Sequence, residues 1–99
     1  MNNYQLSVIT PNGKAFDGQA ESLVALGRSG FFGVMAKHAP MVVALRKGSL
    51  TVRHGAREHH FALSSGILEV NEQNNVVLLV DKALEAETHD QSLALLENL

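Results

Sequence analysis

The strongest constraint on this chain is its punctuation. From Tyr4 to Val80 the longest uninterrupted apolar runs are five residues, Met41–Leu45 and Val76–Val80. Turn chemistry separates such runs: Pro11-Asn12-Gly13-Lys14, His54-Gly55-Ala56-Arg57, Ser64-Ser65-Gly66 and the polar stretch Asn71–Asn75. Proline pre-sets a negative φ and Asn and Gly tolerate a positive one, so these are turns with a mechanism. A membrane helix needs about 20 apolar residues in a row, which nothing here supplies. Short strands with turns about 8–12 residues apart indicate a β-sandwich or barrel.

The strands can be read individually. Tyr4, Leu6 and Val8 alternate with Gln5 and Ser7, the two-residue period of a half-buried strand. Ala15–Gln19 and Glu21–Leu26 follow, with Gly18 expected as a bend or bulge. The clearest hairpin sets Ser49–Arg53 against Glu58–Leu63. Pairing Arg53 with Glu58 puts Leu50, Val52, His59 and Phe61 on one face and Thr51 with His60 on the other. Ile67–Val70 is the next strand, and VVLLV is apolar enough to be expected at the centre of the core.

After Val80 the composition changes. DKALEAETHDQSLALLENL has no Gly or Pro and is rich in Ala, Leu and Glu, which favour helix. Thr88 or Asp90 suits an N-cap, and Leu93, Leu96 and Leu99 form the expected apolar stripe on about ten residues of helix. The expected division is a β-domain over 1–83 and a short helical tail over 84–99.

Composition narrows the chemistry. A net charge of −2 gives no electrostatic case for nucleic acid, which usually demands a basic patch. The absence of cysteine removes disulfides, thiol nucleophiles and Cys-rich zinc sites. The opening MNNYQLSVIT lacks the positive start and long apolar stretch of a signal peptide. The expectation is a chain that meets a membrane only through another protein.

The segment GRSGFFGVMAKHAP, residues 27–40, has the glycines of a phosphate cradle but not its other parts. No Lys-Ser or Lys-Thr follows Gly33, no helix opens there, and the spacing is GxxGxxG rather than GxGxxG. A flexible connection is expected instead, with Phe31-Phe32 forming an apolar tip that prefers to be covered. The five histidines show no HxH or HExxH spacing, and neighbours His59 and His60 point to opposite faces of a strand. SSG lacks the GxSxG elbow, and the carboxylates of the strand region are dispersed. No catalytic residue, cofactor or metal is expected, and a binding or structural module is favoured over an enzyme.

Several motifs in order carry a family resemblance: SVITPNGKAFDG, GFFGVMAKHAPMVVALRKGSLTVR, FALSSGILEV and NNVVLLVDKA. Together they resemble the N-terminal domain of the epsilon subunits of F-type ATP synthases, called delta in mitochondria, over about Tyr4 to Ala83. The most specific piece is FGV-x3-HAP followed by an apolar strand and a KG turn. The resemblance implies a flattened, ten-stranded antiparallel β-sandwich and a non-catalytic rotor-stalk subunit. Its implied partners are the gamma subunit and the membrane c-ring, on the cytoplasmic face of an energy-transducing membrane. By position it implies a c-ring-facing set of Gly27, Arg28, Ser29, Gly30, Phe31, Phe32 and His38. Thr10, Ala39, Pro40, Met41, Val42 and Val43 fall on the implied gamma-facing side.

The departures from the family pattern are local. Ala36-Lys37 stands where Pro-Gly is common, so Lys37 is expected to avoid a glycine-only backbone conformation. Phe31 replaces a frequent acidic residue, and Ser65 stands at the first glycine of a frequent LSGG. The matching stretch for the ATP-binding (I/L)DxxRA pattern is His89–Ala94, with Leu93 in the arginine's place. Neither bound nucleotide nor an extended inhibitory arm is therefore expected. The alternatives left open by the residues are a free-standing β-sandwich that binds a ligand or metal, and a paralogue serving another complex.

Overall fold

The computed structural model describes residues 2–99. Ten strands come first: β1 Tyr4–Thr10, β2 Gly13–Ala20, β3 Ser22–Gly27, β4 Gly30–Met35, β5 Met41–Leu45, β6 Gly48–His54, β7 Arg57–Leu63, β8 Gly66–Val70, β9 Asn75–Val80 and β10 Ala83–Ala86. Helix α1, His89–Leu95, and a 3-10 turn, Leu96–Asn98, close the chain. The strands hydrogen-bond in the order β10-β7-β6-β3-β5-β8-β9-β1-β2, with β4 on the second edge of β3.

That path folds into two five-stranded layers, β10-β7-β6-β3-β4 and β5-β8-β9-β1-β2. They join where Gly27 of β3 meets Leu45 of β5, reinforced by the Arg46 amide donating to the Leu26 carbonyl at 2.9 Å. All pairings are antiparallel except β1 with β9, which run parallel and so need the long connection between them. The expected ten-stranded sandwich is the observed architecture.

Inward positions of both layers make one core. Leu6, Val8, Leu68 and Leu78 face Leu23, Leu50, Val52 and Phe61, all at most 1% exposed. Each such side chain contributes roughly 1.5–3 kcal/mol when fully buried. The β6–β7 register is the one expected, Arg53 with Glu58 through Leu50 with Phe61. Gly66 permits the close approach of β8 to β9, since a methyl group there would overlap the Leu79 carbonyl oxygen.

Several expectations need correction. The bulge in β2 is at Ala15, skipped between the Val8–Phe16 and Ile9–Lys14 pairs, while Gly18 pairs regularly with Leu6. The glycine segment is no flexible connection: β3 and β4 form a regular hairpin around Arg28-Ser29, with Gly30 at φ 128. Phe31 is exposed as expected, but Phe32 packs against the core opposite buried Ala25.

VVLLV is interior in strand order yet buries only one face, and Leu79 is half exposed. Part of the helix-favouring tail is strand, because β10 pairs with β7 from Ala83–Leu63 to Ala86–His60. Lys37 does adopt the left-handed region, at φ 66, where its amide donates to Asn74 Oδ1 at 2.8 Å.

Thr88 is the N-cap, its Oγ1 accepting from the Gln91 amide at 3.1 Å. The docked face of α1 is not the leucine stripe, however. Ser92 is fully buried and donates to the His89 carbonyl at 2.6 Å, whereas Leu93 is 42% exposed. A helix of seven residues cannot stand alone, and this one lies across β6, β7 and β10.

Candidate functional site

The outer face of the β5-β8-β9-β1 layer is the unusual surface. Register places Ala44, Ile67, Leu79 and Ile9 in one row across four strands, with Val42, Glu69, Val77 and Ser7 in the next. All eight project away from the core, because their neighbours Val43, Leu68, Leu78 and Val8 face into it. Val42, Ile67 and Leu79 are 70%, 45% and 50% exposed.

An apolar surface continuous over four strands is costly to leave in water and marks a docking face. It has a polar rim on the β1–β2 side, where Asp17 accepts from Gln5, Ser7 and Lys14. The Lys14 ammonium and the Ser7 hydroxyl hold the Asp17 carboxyl below the usual carboxylate range. Apolar centre and polar rim together are the anatomy of a protein interface.

A second apolar region lies on the other layer. Phe31, Met35 and Val24 are 60%, 68% and 46% exposed and share the outer face of the β3–β4 hairpin. Gly33 pairs with Val24 and, lacking a side chain, leaves it uncovered.

Between the two layers, β4 and β5 diverge. The resulting seam, about 500 Å³, is lined by Gly27–Gly33, His38 and Met41–Ala44. Met41 and Val43 point inward there but stay only partly buried, since no strand closes the seam over them. His38 Nδ1 lies 2.7 Å from the Ala39 carbonyl oxygen.

The structure thus brings together residues that the sequence reading assigned to different partners. Gly27, Arg28, Ser29, Gly30, Phe31, Phe32 and His38 line the same seam as Met41, Val42 and Val43. Ala39 and Pro40 lie in the exposed β4–β5 connection. Thr10 sits at the opposite end of its layer, where its hydroxyl donates to the Gly13 carbonyl at 3.0 Å and accepts from the Asn12 amide at 3.1 Å. That arrangement shapes the β1–β2 turn.

Ile9, Ala44, Ile67, Val77 and Leu79 were not singled out from sequence. The available signal was that β9 is apolar at every position from Val76 to Val80, more than one buried face requires.

Among the described residues the titratable side chains are dispersed over separate contacts. His59 packs edge-on against Phe16, ring centroids 5.0 Å apart, with Glu85 at 3.7 Å. His60 turns to the other face, its Nδ1 3.2 Å from Thr51 Oγ1 and its Nε2 3.4 Å from Glu58 Oε1. The Arg53 guanidinium holds the Glu58 carboxyl below its ordinary value. A groove of about 650 Å³ beside α1 includes Glu58, His59 and Glu85, but these groups already contact Arg53, His60 or one another. Among the described residues no three His, Cys, Asp or Glu side chains gather as a metal site would require, and no helix is long and apolar enough to cross a membrane.

Comparison with known proteins places this arrangement in context. Residues 3–86 match the family described as the beta-sandwich domain of the ATP synthase delta/epsilon chain. The chain is similar to the ATP synthase epsilon chain of Leptospira borgpetersenii, 34% identical over 99 residues, covering 95% of this chain and 77% of that one. It is also similar to the epsilon chain of Anaeromyxobacter sp. strain K, 40% identical over 78 residues, covering 79% of this chain and 58% of the relative. The chain therefore spans little more than half the length of the Anaeromyxobacter relatives it matches.

Among solved structures, a chain of the Euglena gracilis mitochondrial ATP synthase OSCP/F1/c-ring assembly shares the fold with a TM-score of 0.81 at 22% identity, over 95% of this chain and 61% of its own. A chain of the Tetrahymena thermophila mitochondrial ATP synthase central stalk and c-ring does so with a TM-score of 0.71 at 15% identity, over 82% and 65%.

Proposed function

This chain belongs to the family of the ATP synthase delta/epsilon β-sandwich domain, and from that premise we propose that it is a non-catalytic subunit of the central, rotating stalk of a proton-translocating F-type ATP synthase. In this reading it joins the gamma subunit to the membrane c-ring and so couples ion flow to ATP synthesis elsewhere in the complex. It is peripheral, on the cytoplasmic side of the energy-transducing membrane, and takes no nucleotide.

The observation that carries the reading is the apolar outer face of β5, β8, β9 and β1. A core of this kind already satisfies the fold, so Val42, Ala44, Ile67, Val77 and Leu79 contribute nothing to the interior. Covered by a partner, each exposed aliphatic side chain supplies roughly 1.5–3 kcal/mol at full burial, part of it offset by ordering and lost motion. We assign this face to gamma; Val42 is the one residue of it that the sequence also suggested for the gamma-facing side. The β3–β4 hairpin with Phe31 is assigned to the c-ring.

Co-expression with the cognate gamma subunit and size-exclusion chromatography test the assignment. The wild type and Phe31→Asp are expected to elute with gamma, and Ile67→Asp/Leu79→Asp to elute alone while keeping its β circular dichroism. A wild-type chain that fails to bind folded gamma would overturn the stalk reading.

A further inference from the structure

Asn12-Gly13 is the one place in the sequence where asparagine precedes glycine, and it stands at the tip of the β1–β2 turn. Pro11 and Asn12 make the turn, both exposed, and Gly13 opens β2 at the end of the ladder, opposite Thr10. Gly13 has φ 117, and no atom beyond its chain neighbours lies within 4 Å of where a side chain would begin. Outside the ladder, one hydroxyl holds the turn: Thr10 Oγ1 accepts from the Asn12 amide at 3.1 Å and donates to the Gly13 carbonyl at 3.0 Å. Both bonds are exposed, where water competes and the net contribution is small, so the turn opens readily. Among the described residues the Asn12 side-chain amide has no protein partner in a hydrogen bond.

Other residues of the same chemistry are anchored. Asn71 Oδ1 accepts from the Gln73 and Asn75 amides at 2.9 and 3.0 Å. Asn74 Oδ1 accepts from the Lys37 amide, and its Nδ2 donates to the Asn3 carbonyl at 3.2 Å. Asp17-Gly18 repeats the acid-or-amide-before-glycine pattern, but Asp17 accepts from Gln5, Ser7 and Lys14, and Gly18 pairs with Leu6 within the ladder.

We propose that Asn12-Gly13 is a site of spontaneous modification, at which Asn12 deamidates through a succinimide to isoaspartate and aspartate. The Gly13 backbone nitrogen attacks Cγ of Asn12. A bond from that nitrogen to Cγ forms, the bond from Cγ to Nδ2 breaks, and ammonia leaves with the proton the backbone nitrogen gave up. Glycine suits the step because no side chain shields its nitrogen. Water then opens the five-membered ring. Breaking the bond to Cγ gives aspartate, and breaking the bond to the main-chain carbonyl carbon gives isoaspartate, whose chain runs through Cγ. One water is taken up, one ammonia is released, and nothing is oxidised or reduced. Either product places a negative charge next to Gly13 and Lys14. Isoaspartate also lengthens the turn by one main-chain carbon, so the Thr10 hydroxyl can no longer span it as it does here. The proposal is independent of the stalk reading.

The test incubates the purified full chain at physiological temperature and mildly alkaline pH. Tryptic peptides are followed by mass spectrometry and by isoaspartyl carboxyl methylation with labelled S-adenosylmethionine. Cleavage after Lys14 puts Asn12 and Asp17 on separate peptides. The peptide carrying Asn12 is expected to gain one mass unit with time, to split into two products of equal mass and to accept methyl groups. Asn12→Gln is expected to lose nearly all of this signal, since the longer side chain must close a six-membered ring. If that variant folds poorly, the wild type supplies its own comparison: the Asp17 peptide is expected to accept no methyl groups, and Asn71 and Asn74 to keep their mass. An Asn12 that stays intact in the folded chain would overturn the proposal, and its reaction in urea would then locate the protection in the fold. Modification of Asp17, Asn71 or Asn74 ahead of Asn12 would overturn it too, because anchoring would not decide the site.

Discussion

Tyr4 is the only tyrosine of the chain and lies 2% exposed, its hydroxyl donating to the Val34 carbonyl oxygen at 2.8 Å. This bond ties β1 of one layer to the edge strand β4 of the other. Burial pushes the phenol's pKa above its ordinary value, because the phenolate would lose its hydration. The folded value lies above the unfolded one, so the contribution is complete below about pH 10 and is lost as pH rises toward the folded value. The urea midpoint of the wild type is expected to fall above about pH 10. Tyr4→Phe is expected to flatten that decline and to cost about 1 kcal/mol at neutral pH, where it removes the bond to Val34. Tyrosinate absorbance reports this one residue. A native-state titration at the ordinary tyrosine value would contradict the assignment. Lys37 offers the opposite case, a side chain in the left-handed region that glycine occupies freely. Its bond to Asn74 uses only the backbone amide and survives substitution. Lys37→Gly is therefore expected to raise stability by about 0.5–1 kcal/mol, with glycine's larger unfolded-state entropy offsetting part of the relieved strain. An unchanged or lower urea midpoint would show that the lysine side chain itself contributes.

At the scale of elements, what could be read from sequence depended on whether two signals agreed. The β6–β7 hairpin was legible to the residue because its turn chemistry, the Arg53–Glu58 pair and the alternation of Leu50, Val52 and Phe61 all require one register. The β3–β4 hairpin was not, since Gly27, Gly30 and Gly33 erase the alternation that marks a strand, although Ala25 with Phe32 and Leu23 with Val34 pair regularly. The bulge at Ala15 was invisible for a related reason: it serves the pairing of Val8 with Phe16 and Ile9 with Lys14, which the local sequence does not encode. On α1, Thr88 is a local feature and was readable. The docked face is set by the sheet: α1 lies against β6, β7 and β10 with Ser92 buried and Leu93 left exposed. The candidate site was partly legible through Phe31 and Val42. Its remainder lies on strands β8 and β9, and only their pairing with β5 and β1 joins it into one face.

For the whole molecule, the question is where the sandwich ends. Composition shifts at Val80, yet the architecture extends through β10, which covers the free edge of β7 and places Ala83 against the core. The turn before it is locked twice, by the Ser64 amide to the Lys82 carbonyl at 3.0 Å and by the Lys82 amide to Ser64 Oγ at 2.9 Å. Helix α1 instead covers the outward side of β6 and β7, where Ser49 and Ala62 are buried, and adds nothing to the space between the layers. The two parts should therefore separate on truncation. A chain ending at Glu87 is expected to keep the sandwich and its two-state unfolding, at a loss of about 1–3 kcal/mol for the uncovered outer face. A chain ending at Lys82 lacks the whole of β10, leaving β7 as an unpaired edge backed by Phe61 and Leu63. It is expected to aggregate or to populate partly opened states, since such an edge invites pairing with another chain. Urea unfolding and light scattering of the two truncations decide the matter. Equal behaviour would mean that β10 is dispensable, and collapse of both would mean that α1 holds the layers together.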